Sequence, residues 1–178
     1  GVLAETSGIT AQVFRAADLW LRQFRGGLYQ AVIVGSAVFA AISGSTIVNA
    51  VVFTRIAFPQ MIKFGYSKRL SIGTIAGSGS FAAMIPPSIT MVIYAIMTEQ
   101  SVGQLLIAGV IPGILTAAIY LFGIAVMVRF KPDLAPPIGV RVTWPERWQA
   151  AGQVWPILIL MLVVLGGIYS GLFPPSAA

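Results

Sequence analysis

Two short strings of small and polar residues interrupt otherwise apolar stretches, Ser43-Gly44-Ser45-Thr46 and Gly77-Ser78-Gly79-Ser80, and Pro86-Pro87-Ser88 follows closely on the second. Each string offers hydroxyl oxygens, and a helix interrupted there also exposes backbone carbonyls. Hard, neutral oxygens of this kind suit a Na⁺ ion, which several of them can hold without a carboxylate. A helix restarting after each break would aim free amides and its positive dipole end at the same region, favouring an anionic solute group beside the ion. The competing reading is close packing, which Gly, Ala and Ser commonly serve in membrane helices. Either string alone fits packing. Two of them on neighbouring apolar elements, with two prolines beside the second, favour a binding role.

Two further polar residues stand near the first string. The Asn49 amide could join a polar site or satisfy a bond between helices, and both readings stand. Arg55 lies roughly 12 Å from Lys63 if the intervening residues are helical. It could counter a substrate carboxylate or snorkel to the interface, and snorkelling is preferred. Asn49 and Arg55 are the substrate-binding candidates. The sequence has no cysteine and no histidine, which removes thiol chemistry, most zinc sites and His-based acid/base catalysis. Its five acids, Glu5, Asp18, Glu99, Asp133 and Glu146, lie in or beside hydrophilic stretches and form no pair close in sequence. No catalytic residue, no cofactor and no metal other than Na⁺ is expected.

The elements that must position these residues follow from composition. Of the 178 residues 57% are hydrophobic and 9% charged, whereas a soluble domain carries roughly 25% charged residues. A lipid shell needs no such charged cover, so most of the chain belongs in a bilayer. The net charge of +6 resides in short basic clusters between apolar runs, the pattern of cytoplasmic membrane loops. No basic, aromatic-interleaved face is available for nucleic acid. The chain begins without Met and without a signal-peptide pattern, so it is expected to be a piece of a longer protein.

Residues 1–27 fit an amphipathic, interfacial helix with Trp20 at headgroup depth and Gly26-Gly27 as its stop; the tail of a preceding membrane helix and its loop fits equally. Residues 28–62 form two apolar arms, Leu28 to Ile42 and Ile47 to Ile62, each of about 22 Å as helix and too short for the ~30 Å hydrocarbon core. Arg22 and Arg25 precede the pair, and Lys63, Lys68 and Arg69 follow it. If both flanks are cytoplasmic, the chain enters and returns on one side as a re-entrant hairpin; one long tilted helix would put the clusters on opposite sides. Residues 70–98 predict a discontinuous transmembrane helix, broken at Gly77–Ser80 and again at Pro86–Ser88, that crosses towards Glu99. Such breaks survive in lipid only where protein buries them or where they line a wet cavity. Residues 104–130 predict a transmembrane helix kinked at Pro112-Gly113, residues 131–153 a cytoplasmic loop and interfacial segment, and residues 154–172 a final span. The fold class is therefore all-α, a polytopic membrane protein, and the interrupted helices suggest ion-coupled solute transport.

The order of the motifs resembles the large membrane subunit of tripartite ATP-independent periplasmic (TRAP) transporters. The strings that carry the resemblance are Ser36 to Thr46 (SAVFAAISGST), Phe58 to Tyr66 (FPQMIKFGY), Ala82 to Ile89 (AAMIPPSI), Leu106 to Leu115 (LIAGVIPGIL) and Gly166 to Ala178. The resemblance implies an elevator-type transporter with inverted repeats, of which this chain would be most of the first. It implies import of an organic acid driven by Na⁺ across a bacterial or archaeal inner membrane. A small membrane subunit and a periplasmic solute-binding protein would be the partners. By motif, the first ion site would take Ser43, Gly44, Ser45 and Thr46 together with Gly77, Ser78, Gly79, Pro86, Pro87 and Ser88. Gly77-Ser78-Gly79-Ser80 stands where the family more often has a Gly-Gly-Thr-Leu-like stretch. The alternative function is a channel-like or structural membrane subunit without ion coupling.

Overall fold

The computed structural model describes residues 9–136 and 142–155, together with residues 159, 162, 163, 166 and 167. All regular structure among the described residues is helical. In chain order the elements are α1 (Ile9–Leu21), α2 (Gly27–Ser43), α3 (Thr46–Ile56), α4 (Phe58–Lys63) and α5 (Lys68–Gly79), the last running into a 3₁₀ turn at Ser80–Ala83. They are followed by α6 (Ile89–Met97), α7 (Val102–Phe130), a 3₁₀ turn at Pro132–Leu134, and α8 (Trp144–Gly152). The expected last span, 154–172, lies almost wholly outside the described residues.

Helices α2 and α3 form an antiparallel pair. Gly44 takes the left-handed conformation at φ 58°, which closes α2 and reverses the chain. Ser45 then caps α3, its hydroxyl accepting from the Val48 amide at 3.5 Å. The Phe39 and Phe53 rings meet across the pair with centroids 6.2 Å apart. The far ends of the hairpin also meet: Tyr29, near the start of α2, and Tyr66, past α4, have ring centroids 4.8 Å apart. The Tyr29 hydroxyl donates to the Leu134 carbonyl at 2.8 Å, and that carbonyl also accepts the Ser67 amide at 3.1 Å. The helix ends and turns bearing Arg22, Lys63, Lys68, Arg69 and Lys131 are thereby gathered at one end of the molecule.

Three local expectations are corrected. The second arm is not one run from Ile47 to Ile62, because it breaks at Ala57 into α3 and α4. Pro59 sits in the first turn of α4, where its missing N–H costs least. The Gly77–Ser80 string does not interrupt its helix, since α5 runs through Gly79 and only tightens to 3₁₀ geometry from Ser80. Glycine costs only about 1 kcal/mol inside a helix, and here its small size is used for contact. A Cβ at Gly77 would meet the Tyr120 ring at 2.6 Å, and one at Gly79 would meet Ala50 at 3.1 Å. The chain leaves helical geometry between Met84 and Ser88 instead, where consecutive prolines remove two amide donors. Nor is Gly26-Gly27 the stop of the first helix: α1 ends at Leu21, and Gly26, at φ 74°, is the N-cap of α2.

Helix α1 packs along α2 and does not lie free. Its Phe14 is buried and meets the Phe53 ring edge-on at 6.2 Å. Asp18 is buried beside Arg22, to which it is ion-paired. Helix α8 docks on α1 through tryptophans, with Trp148 and Trp144 edge-on to Trp20 at 5.7 and 6.3 Å. The α7 helix runs unbroken through Pro112, and it is long and apolar enough to cross a membrane. Much of the surface is apolar: Ile111 is 76% and Phe122 73% exposed. A soluble monomer rarely leaves so much contiguous apolar surface open.

Candidate functional site

The site is the junction between the α2–α3 tip and the broken helix α5–α6. In a continuous helix the Ile89 amide would bond the Ile85 carbonyl. Here it donates across the chain to the Gly44 carbonyl at 3.3 Å. Among the described residues no backbone amide reaches the carbonyls of Ile85, Pro86 or Pro87. The approach is tight, because a Cβ at Gly44 would stand 2.7 Å from the Pro87 carbonyl oxygen. Ser88 is buried; its hydroxyl donates to the Ala83 carbonyl at 2.9 Å and accepts the Met91 amide at 3.4 Å, bridging the two halves of the broken helix. The reversal and the break are each followed by a serine-capped helix, α3 or α6, whose N-terminus faces the junction.

Helix α7 supports this junction from outside. A Cβ at Gly109 would meet the Met84 carbonyl oxygen at 2.6 Å, and one at Gly113 would meet Ile85 at 2.9 Å. The Gly109-Val110-Ile111-Pro112-Gly113 string is thus a small-xxx-small contact on the break. Its spacing is the signal that sequence reasoning passed over in favour of a kink. From Gly113 the helix extends roughly 26 Å to Phe130 and roughly 16 Å to Val102, which puts the junction well inside its length.

Two side-chain oxygens near the tip are buried without a hydrogen-bond partner, Ser43 Oγ and Asn49 Oδ1. The other end of the Asn49 amide is engaged, its Nδ2 donating to the Ser36 carbonyl at 3.0 Å. The Ser78 hydroxyl donates to Ser36 Oγ at 3.1 Å. Ser36, Asn49 and Ser78 are all fully buried, so they form a polar seam between the hairpin and α5. Ser36 lies inside what reads as an apolar run, and nothing in the sequence marks it as the common partner. Ser36 precedes Gly44 by two helical turns, roughly 12 Å, so Ser78 sits below the tip. Gly79 lies one turn below it, against the Thr46 carbonyl oxygen at 3.4 Å from its would-be Cβ. The structure therefore brings Ser43–Thr46 together with Pro86–Ser88, and sets Gly77 and Ser78 apart from them. Arg55 is exposed in the last turn of α3, roughly 15 Å along the helix from Ser45. Buried oxygens lacking donors, and carbonyls that no amide reaches, are each of the kind that a hard monovalent cation takes.

The family described as "Tripartite ATP-independent periplasmic transporter, DctM component" matches residues 1–178. The chain belongs to this family. It is 38% identical over 173 residues to the C4-dicarboxylate TRAP transporter large permease protein DctM of Vibrio cholerae, covering 97% of the chain and 38% of that protein. It is 33% identical over 160 residues to the ectoine TRAP transporter large permease protein TeaC of Halomonas elongata, covering 89% of the chain and 36% of the relative. With the sialic acid TRAP transporter permease protein SiaT of Haemophilus influenzae it shares 32% identity over 176 residues, which are 99% of the chain and 28% of the relative. The chain thus spans well under half the length of the relatives it matches. The relatives named here are described as permeases.

Proposed function

We propose that the chain is the first-repeat portion of the large permease of a Na⁺-coupled TRAP transporter that imports an organic acid through a bacterial inner membrane. The observation that carries this reading is the Ile89 amide bonded to the Gly44 carbonyl, which ties a reversed helix tip to a broken helix. With the basic end of the molecule in the cytoplasm, α2–α3 becomes a re-entrant hairpin and the junction falls within the hydrocarbon layer. There the Ser43 hydroxyl and the carbonyls of Ile85 to Pro87 supply neutral oxygens to a Na⁺ ion moved as cargo, and Asn49, bonded to Ser36, lies in the seam below them. The Ile47 and Thr90 region, at the starts of α3 and α6, directs helix N-termini at a carboxylate of the solute. Ser78 ties α5 to the hairpin through Ser36, and Gly77 gives room to Tyr120 of α7.

A neutral donor set has a mechanistic consequence. Without a carboxylate, the ion brings net positive charge into the junction, and an anionic solute offsets it. Ion and solute each raise the affinity of the other, which is the coupling a symporter needs. C4-dicarboxylate and sialic acid, named for two of the relatives, are acids. A periplasmic solute-binding protein would deliver the solute, and a small membrane subunit would complete the assembly. The test is uptake of a labelled C4-dicarboxylate into proteoliposomes holding the complete transporter and its binding protein. Uptake should require an inward Na⁺ gradient; uptake indifferent to Na⁺ would refute the coupling.

A further inference from the structure

A second concave feature lies away from the junction, at the basic end of the molecule. The start of α5 and the end of α7 enclose a groove of about 480 Å³ that includes Arg69, Leu70, Met127, Phe130, Lys131 and Leu134 in its lining. That volume lies within the ~300–1,000 Å³ range of ligand pockets. The groove is lined mainly by apolar groups and carries two cationic side chains, Arg69 and Lys131. Phe130 is 80% exposed and Met127 44% exposed, so the apolar wall is open on the outer side of α7. Arg69 and Lys131 are both exposed, and among the described residues neither is ion-paired; the one salt bridge there is Arg22–Asp18. The acid nearest in sequence, Asp133, does not line the groove. Lys68 adjoins Arg69 in the chain, Arg129 lies two residues before Lys131, and both are exposed.

We propose that this groove holds an anionic phospholipid of the inner leaflet, with its phosphate between Arg69 and Lys131 and an acyl chain along Leu70, Met127 and Phe130. Charge selects the occupant. Two cations with no carboxylate attract a phosphate, and an apolar floor distinguishes a lipid from a free phosphate. A zwitterionic lipid would bring an amine to a groove that is already positive, so phosphatidylglycerol fits better than phosphatidylcholine. The position suits this occupant, because a basic pocket between helices at the cytoplasmic side meets the anionic leaflet directly. The proposal rests on the membrane placement given above but not on ion coupling. Lipid held there would brace the loop that joins the hairpin to α5 against the end of α7.

The test is native mass spectrometry of the purified complete transporter, delipidated and then titrated with phosphatidylglycerol, phosphatidylcholine or glycerol phosphate. Phosphatidylglycerol should be retained in preference to phosphatidylcholine, and glycerol phosphate should not displace it. Each basic residue near an anionic leaflet contributes about fivefold in binding, so Arg69→Gln with Lys131→Gln should weaken retention roughly 25-fold. Arg69→Lys with Lys131→Arg keeps the charge and should retain the lipid, which separates loss of charge from misfolding. Equal retention of both lipids would overturn the proposal, as would an unchanged titration in the Gln pair or a groove already closed by the rest of the transporter. Displacement by glycerol phosphate would assign the site to a free phosphate instead. Na⁺-driven uptake measured on the same preparations reads ion coupling separately, so either claim can fail without the other.

Discussion

Replacing Gly44 by Ala perturbs the junction with the smallest chemical change available. The backbone there is left-handed at φ 58°, a conformation that costs an L-residue roughly 1–2 kcal/mol. The new methyl group would also stand 2.7 Å from the Pro87 carbonyl oxygen, so tip and break must separate. Separation removes the hydrogen bond from the Ile89 amide, worth about 0.5–1.5 kcal/mol. Together these amount to about 1.5–3.5 kcal/mol against the closed junction, or roughly 13- to 370-fold in its population. Apparent Na⁺ affinity falls by up to the same factor, since only the closed arrangement presents the full oxygen set. The assay is the Na⁺ concentration giving half-maximal uptake in proteoliposomes of the complete transporter. Gly73→Ala is the control, because a Cβ there meets nothing within 4 Å. Wild-type Na⁺ dependence in the Gly44→Ala transporter would rule out Na⁺ binding at the junction, and so would an equal shift in the control.

Three further outcomes follow from the same geometry. Ser43→Ala removes a buried hydroxyl that has no partner, so in Na⁺-free buffer thermal stability should hold or rise by up to about 1–3 kcal/mol; the stabilisation gained on adding Na⁺ should shrink, and an undiminished gain would remove Ser43 from the site. Ser78→Ala loses the bond to Ser36 Oγ at 3.1 Å and should cost about 1 kcal/mol of thermal stability with Na⁺ dependence unaltered; a changed dependence would bring α5 into the ion site. The Thr143 amide donates to Glu146 at 2.9 Å, and this bond holds the Glu146 carboxyl below the usual carboxylate range. A depressed folded pKa gives stability that is present above the unfolded value of about 4.3 and is lost as pH falls through the folded one. Tryptophan emission should therefore report loosening of α8 from Trp20 in acid, and Glu146→Gln should lack that transition.

The reversal of the chain was legible because charge is a topological signal: Arg22 and Arg25 on one flank and Lys63 to Arg69 on the other placed both ends of the hairpin together. Its tip was legible because Gly44 supplies the one conformation that a sharp reversal needs. The position of the second break was not. Gly77-Ser78-Gly79-Ser80 resembles a breaker by composition, yet glycine costs a helix little, and Tyr120 and Ala50 use the space left open. Pro86-Pro87 is the stronger breaker because it removes donors outright. Least legible was the link itself. It joins the amide of Ile89 to the carbonyl of Gly44, and backbone groups have no letter of their own in a sequence. Ser36 was hidden for a related reason, since one serine in an apolar run reads as packing until its partners Asn49 and Ser78 are seen.

A Na⁺ ion held at the Gly44–Ile89 junction should exchange with free Na⁺ at equilibrium. Equilibrium binding of radioactive ²²Na⁺ to the purified complete transporter tests this most directly, because it needs neither solute nor gradient. A saturable component is expected that Gly44→Ala weakens by at least tenfold and that Gly73→Ala leaves alone. No saturable binding, or the same isotherm in all three proteins, would contradict a Na⁺ site at the junction.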